Sequence, residues 1–265
     1  MMGSSTKCFD WASSFYDYSR AIPDDLMRKL IEILQDKLKI DSNSKILEVG
    51  VGTGRIAIPL TKKLHINTIG VDISERMLQK CQERISYTEN IQLILADGLT
   101  LPFKNSQFNI ILTSHILHLL SNVHQFINKI LPLLVKNGFY VNLEAYVNYT
   151  QTIPFEIYYS KLSESGFRHI YLTGLVRRGL IIYLSRRGWK HKEYIIRSER
   201  TISNNDLVRF IQNRVFSHQR NISPDLHQQA LQYLYKELEE KCIDLSKTVF
   251  APAISRLNIF EWEKQ

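Results

Sequence analysis

The stretch Lys45–Leu60, KILEVGVGTGRIAIPL, decides how the rest of the chain is read. Its opening residues suit a short buried strand, and the run after Gly54 has helical spacing. Between them glycine stands at positions 50, 52 and 54. Glycine permits unusual dihedrals and lets another group come close to the backbone. A strand, a glycine turn and a helix in immediate succession therefore predict a loop that brings backbone amides and a positive helix end up to a ligand. A tight turn packed for its own steric reasons is the competing explanation. The dinucleotide fingerprint does not fit, because the third position after Gly52 is Arg55, and no Gly-Lys-Ser/Thr follows as a nucleoside-triphosphate loop requires.

Outward from this stretch the chain alternates. Strand-like runs fall at Lys45–Val49, Thr68–Ile73, Ile91–Asp97, Phe108–Ser114 and Phe139–Tyr146, with helical patterns at Gly54–Leu64, Ser74–Tyr87 and Val123–Leu134. That rhythm predicts an α/β fold with a mainly parallel sheet and helices on both faces. Runs such as FNIIL and IQLILA are apolar throughout, as expected of strands covered on both sides. Pro23–Lys39 reads as an amphipathic lead-in helix, with Asp24 and Asp25 at its positive end. The preceding FDWASSFYDYSR is too aromatic for a disordered tail. Beyond Tyr146, Leu172–Arg187 looks helical and WKHKEYIIRSE alternates like a strand. SNNDLVRFIQNRVFS and SPDLHQQALQYLYKELEEK each open on a cap-type serine, and SRLNIFEW closes the chain as a strand. The expected organisation is one domain, 1–265, with N-terminal helices at about 9–40. The sheet lies at about 44–147, 188–200 and 247–262, and helical cap elements at about 150–187 and 203–244.

Five separated motifs, LEVGVGTG, GVDIS, LADGLTLPF, FNIILTSHILHLL and ILPLLVKNGFYV, stand in an order and spacing that resembles the class I S-adenosylmethionine-dependent methyltransferases, specifically the small-molecule, type-11 domain group. The resemblance runs from about Phe9 to Tyr146 and implies a Rossmann-like sheet of seven strands that binds S-adenosylmethionine. It gives the strand-end acids their roles. Glu48 ends the first strand, where a carboxylate meets the amino-acid portion of that ligand. Asp72 ends the second, where an acid suits a ribose diol, and Asp97 with Gly98 follows the third, near the adenine amine. Ile73, Met77 and Leu99 are expected to line the adenine slot, although a core role is equally natural for each. The resemblance also assigns the loop residues Gly50, Gly52, Thr53 and Gly54, Ser114 after the fourth strand, and Tyr16 and Arg20 from an N-terminal segment folded across the cofactor. Arg20 would pair with the methionyl carboxylate.

Methyl transfer from a sulfonium is an in-line displacement helped mainly by alignment in a dry pocket. An acceptor that must lose a proton gains ~10²- to 10⁴-fold from a base. His115 and His118, three apart just past the fourth strand, are the candidates, on the expectation that they share a helical face. Glu144 is a weaker one, with Tyr146 beside it. Tyr158 and Tyr159 on one side, and Phe216, Ser217 and His218 on the other, are candidate substrate walls. Their spacing is also that of ordinary core aromatics.

The formal charge is +8, and thirteen Lys or Arg against four acids between Lys161 and Arg220 account for all of it. A surface for RNA phosphates is one reading, steering of an acidic small molecule another, and a solvated face a third. Against RNA, LTSH stands where base-amino methylating enzymes carry Asn/Asp-Pro-Pro-aromatic, and no Pro-Cys nucleophile occurs. A small-molecule acceptor is the preferred partner, with a non-catalytic cofactor binder as an alternative. Three cysteines without CxxC spacing and scattered histidines predict neither a disulfide framework nor a metal site. No signal pattern or spanning segment is read, which predicts no membrane partner and a cytoplasmic protein.

Overall fold

The computed structural model describes residues 22, 24–86, 90–168 and 172–262. Tyr16 and Arg20, Pro23 and Tyr87 lie outside the described residues, as does the side chain of Ser217. The described chain runs α1 (Asp24–Leu38), β1 (Lys45–Val49), α2 (Ala57–Leu64), β2 (Asn67–Asp72), α3 (Glu75–Arg84), β3 (Ile91–Leu95), β4 (Phe108–Ser114), α4 (Val123–Ile130), β5 (Leu134–Val147), α5 (Ile153–Glu164), α6 (Leu172–Ser185), β6 (Trp189–Ser203), α7 (Asn204–Gln212), α8 (Pro224–Glu240) and β7 (Thr248–Trp262). The starts are set by short polar side chains, since an N-cap oxygen takes an otherwise orphaned helix amide. Ser74, Asn122, Ser203 and Ser223 each accept from the amide three residues on.

One seven-stranded sheet, in the order β3-β2-β1-β4-β5-β7-β6, organises the molecule. All neighbours are parallel except β7, which is antiparallel to β5 and β6. This is the Rossmann-like architecture of the class I methyltransferases. The strand order reverses between β1 and β4, so the loops leaving those strands diverge to opposite faces and open a crevice at the carboxyl edge. On one face α1 and α2 pack over Leu112, Val141, Leu143, Leu257 and Ile259, and α3 closes against α2 through Leu78 and Cys81. On the other, Phe126, Ile127 and Ile130 of α4 join Leu180 and Leu184 of α6 over Ile111, Tyr140 and Phe260. The sequence reading grouped α6 with the cap, but it packs on the sheet.

The last three strands overhang the rest. β5 has 14 residues and β6 and β7 have 15 each, whereas β1 to β4 have five to seven. β6 exceeds its expected bound by running on to Ser203, whereas β7, from Thr248, fills the expected 247–262 and starts well before the strand-like run SRLNIFEW. Pro252 masks the first half of β7, because proline normally excludes a central strand. Here β5 has already ended opposite Ala253, and the Pro252 carbonyl turns to that side to accept from Asn148 N–H (2.7 Å). Its missing amide therefore costs no bond to β6. On the overhang sits a cap with its own core, drawn from α5, α7 and α8 through Phe155, Tyr158, Leu207, Phe210, Ile211 and Leu234. The helical pair α7 and α8 is inserted between β6 and β7, as the sequence suggests.

Pro59 also finds its explanation. The regular helix is bounded at Ala57, not Gly54, so Pro59 falls in its first turn, where proline is tolerated, between the bonds Ile58 N–H to Gly54 O (3.0 Å) and Leu60 N–H to Ile56 O (3.1 Å). Among the described residues no helix is long and apolar enough to cross a membrane.

Candidate cofactor and active site

The three glycines divide by physical cause. All have positive φ, at +78°, +56° and +77° for Gly50, Gly52 and Gly54. A Cβ at Gly50 would stand 2.3 Å from Ile116 Cγ2, and one at Gly54 would stand 2.6 Å from Cys81 Sγ. Those two are glycine because their own chain crowds them. A Cβ at Gly52 meets nothing within 4 Å, so this turn alone faces open space. The loop amides do not point outward as expected. Gly50 and Val51 N–H both donate to Val71 O, Gly54 N–H to Val51 O, and Gly52 N–H to Asp72 Oδ2 (2.8 Å). What the loop offers a ligand is room beside Gly52, not a row of free donors.

The strand-end acids surround that opening. Glu48 is 2% exposed, and burial pushes its carboxyl up to about 8 against the opposing effects of Arg55 and of the Ala57 amide, from which it accepts. Glu48 therefore closes the start of α2, and its Oε2 has no partner. Asp72 accepts from Gly52 N–H with one oxygen and from Ser74 N–H (2.9 Å) with the other. Burial raises its pKa, and those amide bonds oppose the rise. Asp97 Oδ1 accepts from Leu99 N–H (2.9 Å), which shapes the turn after β3. Gly98 is fixed by packing, since a Cβ there would be 2.8 Å from Phe126. Ile73 stands exposed at the edge, whereas Met77 is 2% exposed and belongs to the interior. Leu99 is half-buried against the α4 face. Thr53 is buried, its carbonyl accepting from Arg84 Nη1 (3.0 Å), and Ser114 is buried with an unpartnered Oγ.

The two histidines do not share a helical face. His115 has φ +58° and precedes a single 3₁₀ turn, Leu117–Leu119, that carries half-buried His118. His115 Nε2 accepts from Ala145 N–H (3.0 Å), occupying the edge of β5 where β4 has ended. That bond requires the neutral ring to carry its proton on Nδ1. His115 is thus an element of the sheet edge that presents a donor, and its Nε2 is not open as a base. Glu144 is likewise committed. It accepts from Arg177 Nη1 of α6 (3.2 Å), and Arg177 also approaches Glu193 (3.8 Å), which pairs with Arg256 (3.2 Å). Burial raises the Glu144 pKa and Arg177 lowers it, as in an ion-pair network that fastens α6 to the overhang. Tyr146 is 39% exposed beside this network.

The proposed aromatic walls are largely cap interior. Tyr158 is wholly buried, and its hydroxyl bonds His227 Nδ1 (2.6 Å), so it is no substrate wall. Tyr159, Phe216 and His218 are only partly buried: the Tyr159 hydroxyl bonds His218 Nε2, and Phe216 stacks on His218 with 5.8 Å between ring centroids. Sequence reasoning missed Arg177, Tyr149 and Arg200. Arg200 Nη1 donates to the Tyr149 hydroxyl (2.6 Å) in the buried seam between β6 and the cap. The only signal was charge at an inward position of an alternating strand. Among the described residues no group of three His, Cys, Asp or Glu is placed to hold a metal ion.

Against this geometry, the family model described as a methyltransferase domain matches residues 46–138. That span is a class I methyltransferase domain. It holds the glycine loop, the three strand-end acids and both histidines, whereas Glu144, Arg177 and the whole cap lie beyond it. An uncharacterized protein of Methanocaldococcus jannaschii is 37% identical over 92 residues, 35% of this chain and 40% of that protein. A demethylmenaquinone methyltransferase of Staphylococcus saprophyticus is 37% identical over 75 residues, 28% of this chain and 32% of the relative. The chain thus spans less than half the length of these relatives. A phosphoethanolamine N-methyltransferase 2 of Haemonchus contortus, solved with phosphomonomethylethanolamine and S-adenosylhomocysteine, is similar in fold with a TM-score of 0.55. It shares 14% identity, covering 98% of this chain and 59% of the other. The methyltransferase domain is therefore supported by sequence and fold, and the overhang and cap by fold alone.

Proposed function

We propose that this protein binds S-adenosylmethionine at the carboxyl edge of β1, β2 and β3 and transfers its methyl group to a small molecule held beneath the cap. The observation that carries this reading is the opening at Gly52, bordered by the unpartnered Glu48 Oε2 and by Asp72. The donor set fits the group. A buried carboxylate oxygen without a partner suits a cationic amine, and the Asp72 carboxylate, which accepts from the amides of Ser74, Gly52 and Ile73, keeps acceptor capacity for a ribose hydroxyl. Asp97, on the next loop, faces the same edge. When bound, the cofactor supplies an electrophilic methyl on a positively charged sulfur.

This chain's own residues then position and exclude water. Glu48 and Asp72 hold the two polar ends of the cofactor, Gly52 lets it lie against the backbone, and the overhang with its cap covers the reacting region. Alignment of this kind supplies most of the acceleration that methyl transfer needs. His115 orients the edge of β5, and His118 stands half-buried on the 3₁₀ turn that follows it. A small acceptor is favoured because part of the basic excess is turned inward. Arg177 lies in the ion-pair network, Arg200 is buried at 9% exposure, and Arg214 donates to the carbonyls of Gln219 and Ile222. The demethylmenaquinone methyltransferase relative points the same way.

The test is titration calorimetry with S-adenosylmethionine and S-adenosylhomocysteine. Saturable binding of both is expected, weakened at least about tenfold by Asp72→Ala, the loss of one or more charge-assisted bonds. A folded protein with no affinity for either would end the proposal.

A further inference from the structure

Helix α6 is apolar on both of its sides. Val176, Leu180, Ile181, Tyr183 and Leu184 pack inward, over the sheet and against α4. Leu175 and Ile182, at 61% and 53% exposure, are the most exposed large apolar side chains on any described helix. They stand seven residues apart with Gly179 between them, so they lie along one outer stripe. A helix at the surface of a globular protein ordinarily turns charged and polar residues outward. α1 does so with both signs of charge, its exposed positions including Arg28, Lys29, Glu32 and Asp36. On α6 the charges along the stripe are of one sign. Exposed Arg178 stands between Leu175 and Ile182, and exposed Arg186 follows a turn beyond Ile182, whose carbonyl accepts from its N–H (3.1 Å). Neither guanidinium is in an ion pair with any described residue. Arg187 extends the row, lying over the Tyr183 ring at 3.6 Å from its centroid.

The surroundings supply almost no counter-charge. No Asp or Glu occurs between Asp97 and Glu144, or between Glu164 and Glu193, and these two stretches carry ten Lys or Arg. They contain both helices of this layer. α4 joins α6 through Tyr183, whose ring stacks on His124 with centroids 3.9 Å apart and whose hydroxyl donates to Asn128 (2.8 Å). The exposed positions of α4 are His124, Gln125, Asn128 and Lys129. By strand alternation the acids on this face are Glu144 and Glu193, which Arg177 and Arg256 hold, and Glu199 out on the overhang. Trp262, 46% exposed, meets Trp189 edge-on at the far side of the same layer. We propose that the outer face of α6, with α4 beside it, docks on an anionic lipid bilayer. Arg178, Arg186 and Lys129 meet headgroup phosphates, and Leu175 and Ile182 reach the acyl boundary. Charge and shape decide the occupant. A second copy would set arginine against arginine, since like charges brought together oppose association. An acidic protein would match the charge, but a protein interface is built on a packed apolar centre. Here the two aliphatic side chains project singly among cations, and a Cβ at Gly179 between them would meet nothing within 4 Å. The proposal stands apart from the methyl-transfer reading. It amends the expectation of no membrane partner, which came from the lack of a spanning segment: a helix can lie on a bilayer without crossing it.

Flotation of the full chain with vesicles tests this, comparing equimolar phosphatidylglycerol and phosphatidylcholine with phosphatidylcholine alone. Binding to the anionic vesicles is expected to be at least about tenfold tighter, and to fall as salt is raised. Arg178→Gln combined with Arg186→Gln should weaken it at least about tenfold, whereas Arg28→Gln combined with Lys29→Gln, the same loss of charge on α1, should change it by less than about twofold. Leu175→Gln combined with Ile182→Gln should weaken binding with the charge intact. All these positions are exposed, so thermal melts of the variants should match the parent. The proposal is overturned if the folded protein does not float with anionic vesicles, if neutral vesicles bind it equally well, or if the α1 pair matters as much as the α6 pair. Two other results would overturn it by giving the face another occupant. A dimer in sedimentation that Leu175→Gln with Ile182→Gln dissolves would assign it to a second copy. Retention on polyglutamate by a protein that floats with neither vesicle would assign it to an acidic protein.

Discussion

A single methyl group separates the roles of Gly52 and Gly54. At Gly54 an added Cβ collides with Cys81 and Ile58 side chains in a left-handed backbone, whereas at Gly52 only the backbone objects. Gly54→Ala is expected to lower stability by about 2–4 kcal/mol, from overpacking added to the strained dihedral. Gly52→Ala should cost only about 1–2 kcal/mol, the price of the left-handed conformation, yet lose most cofactor affinity. Denaturant melts and calorimetry on the pair would show it, and equal affinity in Gly52→Ala and the parent would argue against close approach. Glu48 makes a second residue-scale prediction. Its folded pKa of about 8 lies above the ordinary 4.5, so its protonated form favours the fold at low pH, and that contribution is lost as pH rises from 4.5 through 8. A cationic amine against the carboxyl would favour ionisation, so cofactor binding at pH 7 should release close to one proton. Calorimetry in buffers of different ionisation enthalpy measures this, and Glu48→Gln should abolish the release.

At the scale of elements, local chemistry and long-range pairing contributed differently. Serine caps before α7 and α8 were legible because an N-cap acts within three residues. The start of α2 was legible only roughly: Ile58 N–H already reaches back to Gly54 O (3.0 Å), while the regular helix is bounded at Ala57. Pro59 follows that start: Pro59→Ala should move stability by less than about 1 kcal/mol, in contrast to the ~3 kcal/mol of a proline inside a helix. Thermal melts of the two proteins decide this, and a gain near 3 kcal/mol would mean that Pro59 strains α2 after all. The half of β7 before Ser255 lay within the expected sheet but outside the strand-like run, since Pro252 breaks the local pattern and nothing local tells that β5 ends one residue too early to need its amide.

For the whole molecule, the separation of cores matters most. The cap core around Phe210 shares no residue with the two cores that flank the sheet. Phe210 is 1% exposed, so Phe210→Ala should cost about 3–5 kcal/mol. That loss should appear first in the cap: hydrogen exchange is expected to speed up in α5, α7 and α8 while β1 and β4 keep their protection. Uniform loss of protection would show one cooperative unit instead.

Taken alone, the amino-acid order was enough for the alternating sheet, the glycine turn and the acids at successive strand ends, because strand and helix periods and turn chemistry act over a few residues. Other features depended on partners far along the chain. Tyr158 became interior through His227, His115 lost its free nitrogen to Ala145, and Glu144 was bound by Arg177. Burial and hydrogen-bond commitment decide which polar side chain is free to meet a ligand, and both exist only once distant segments have packed.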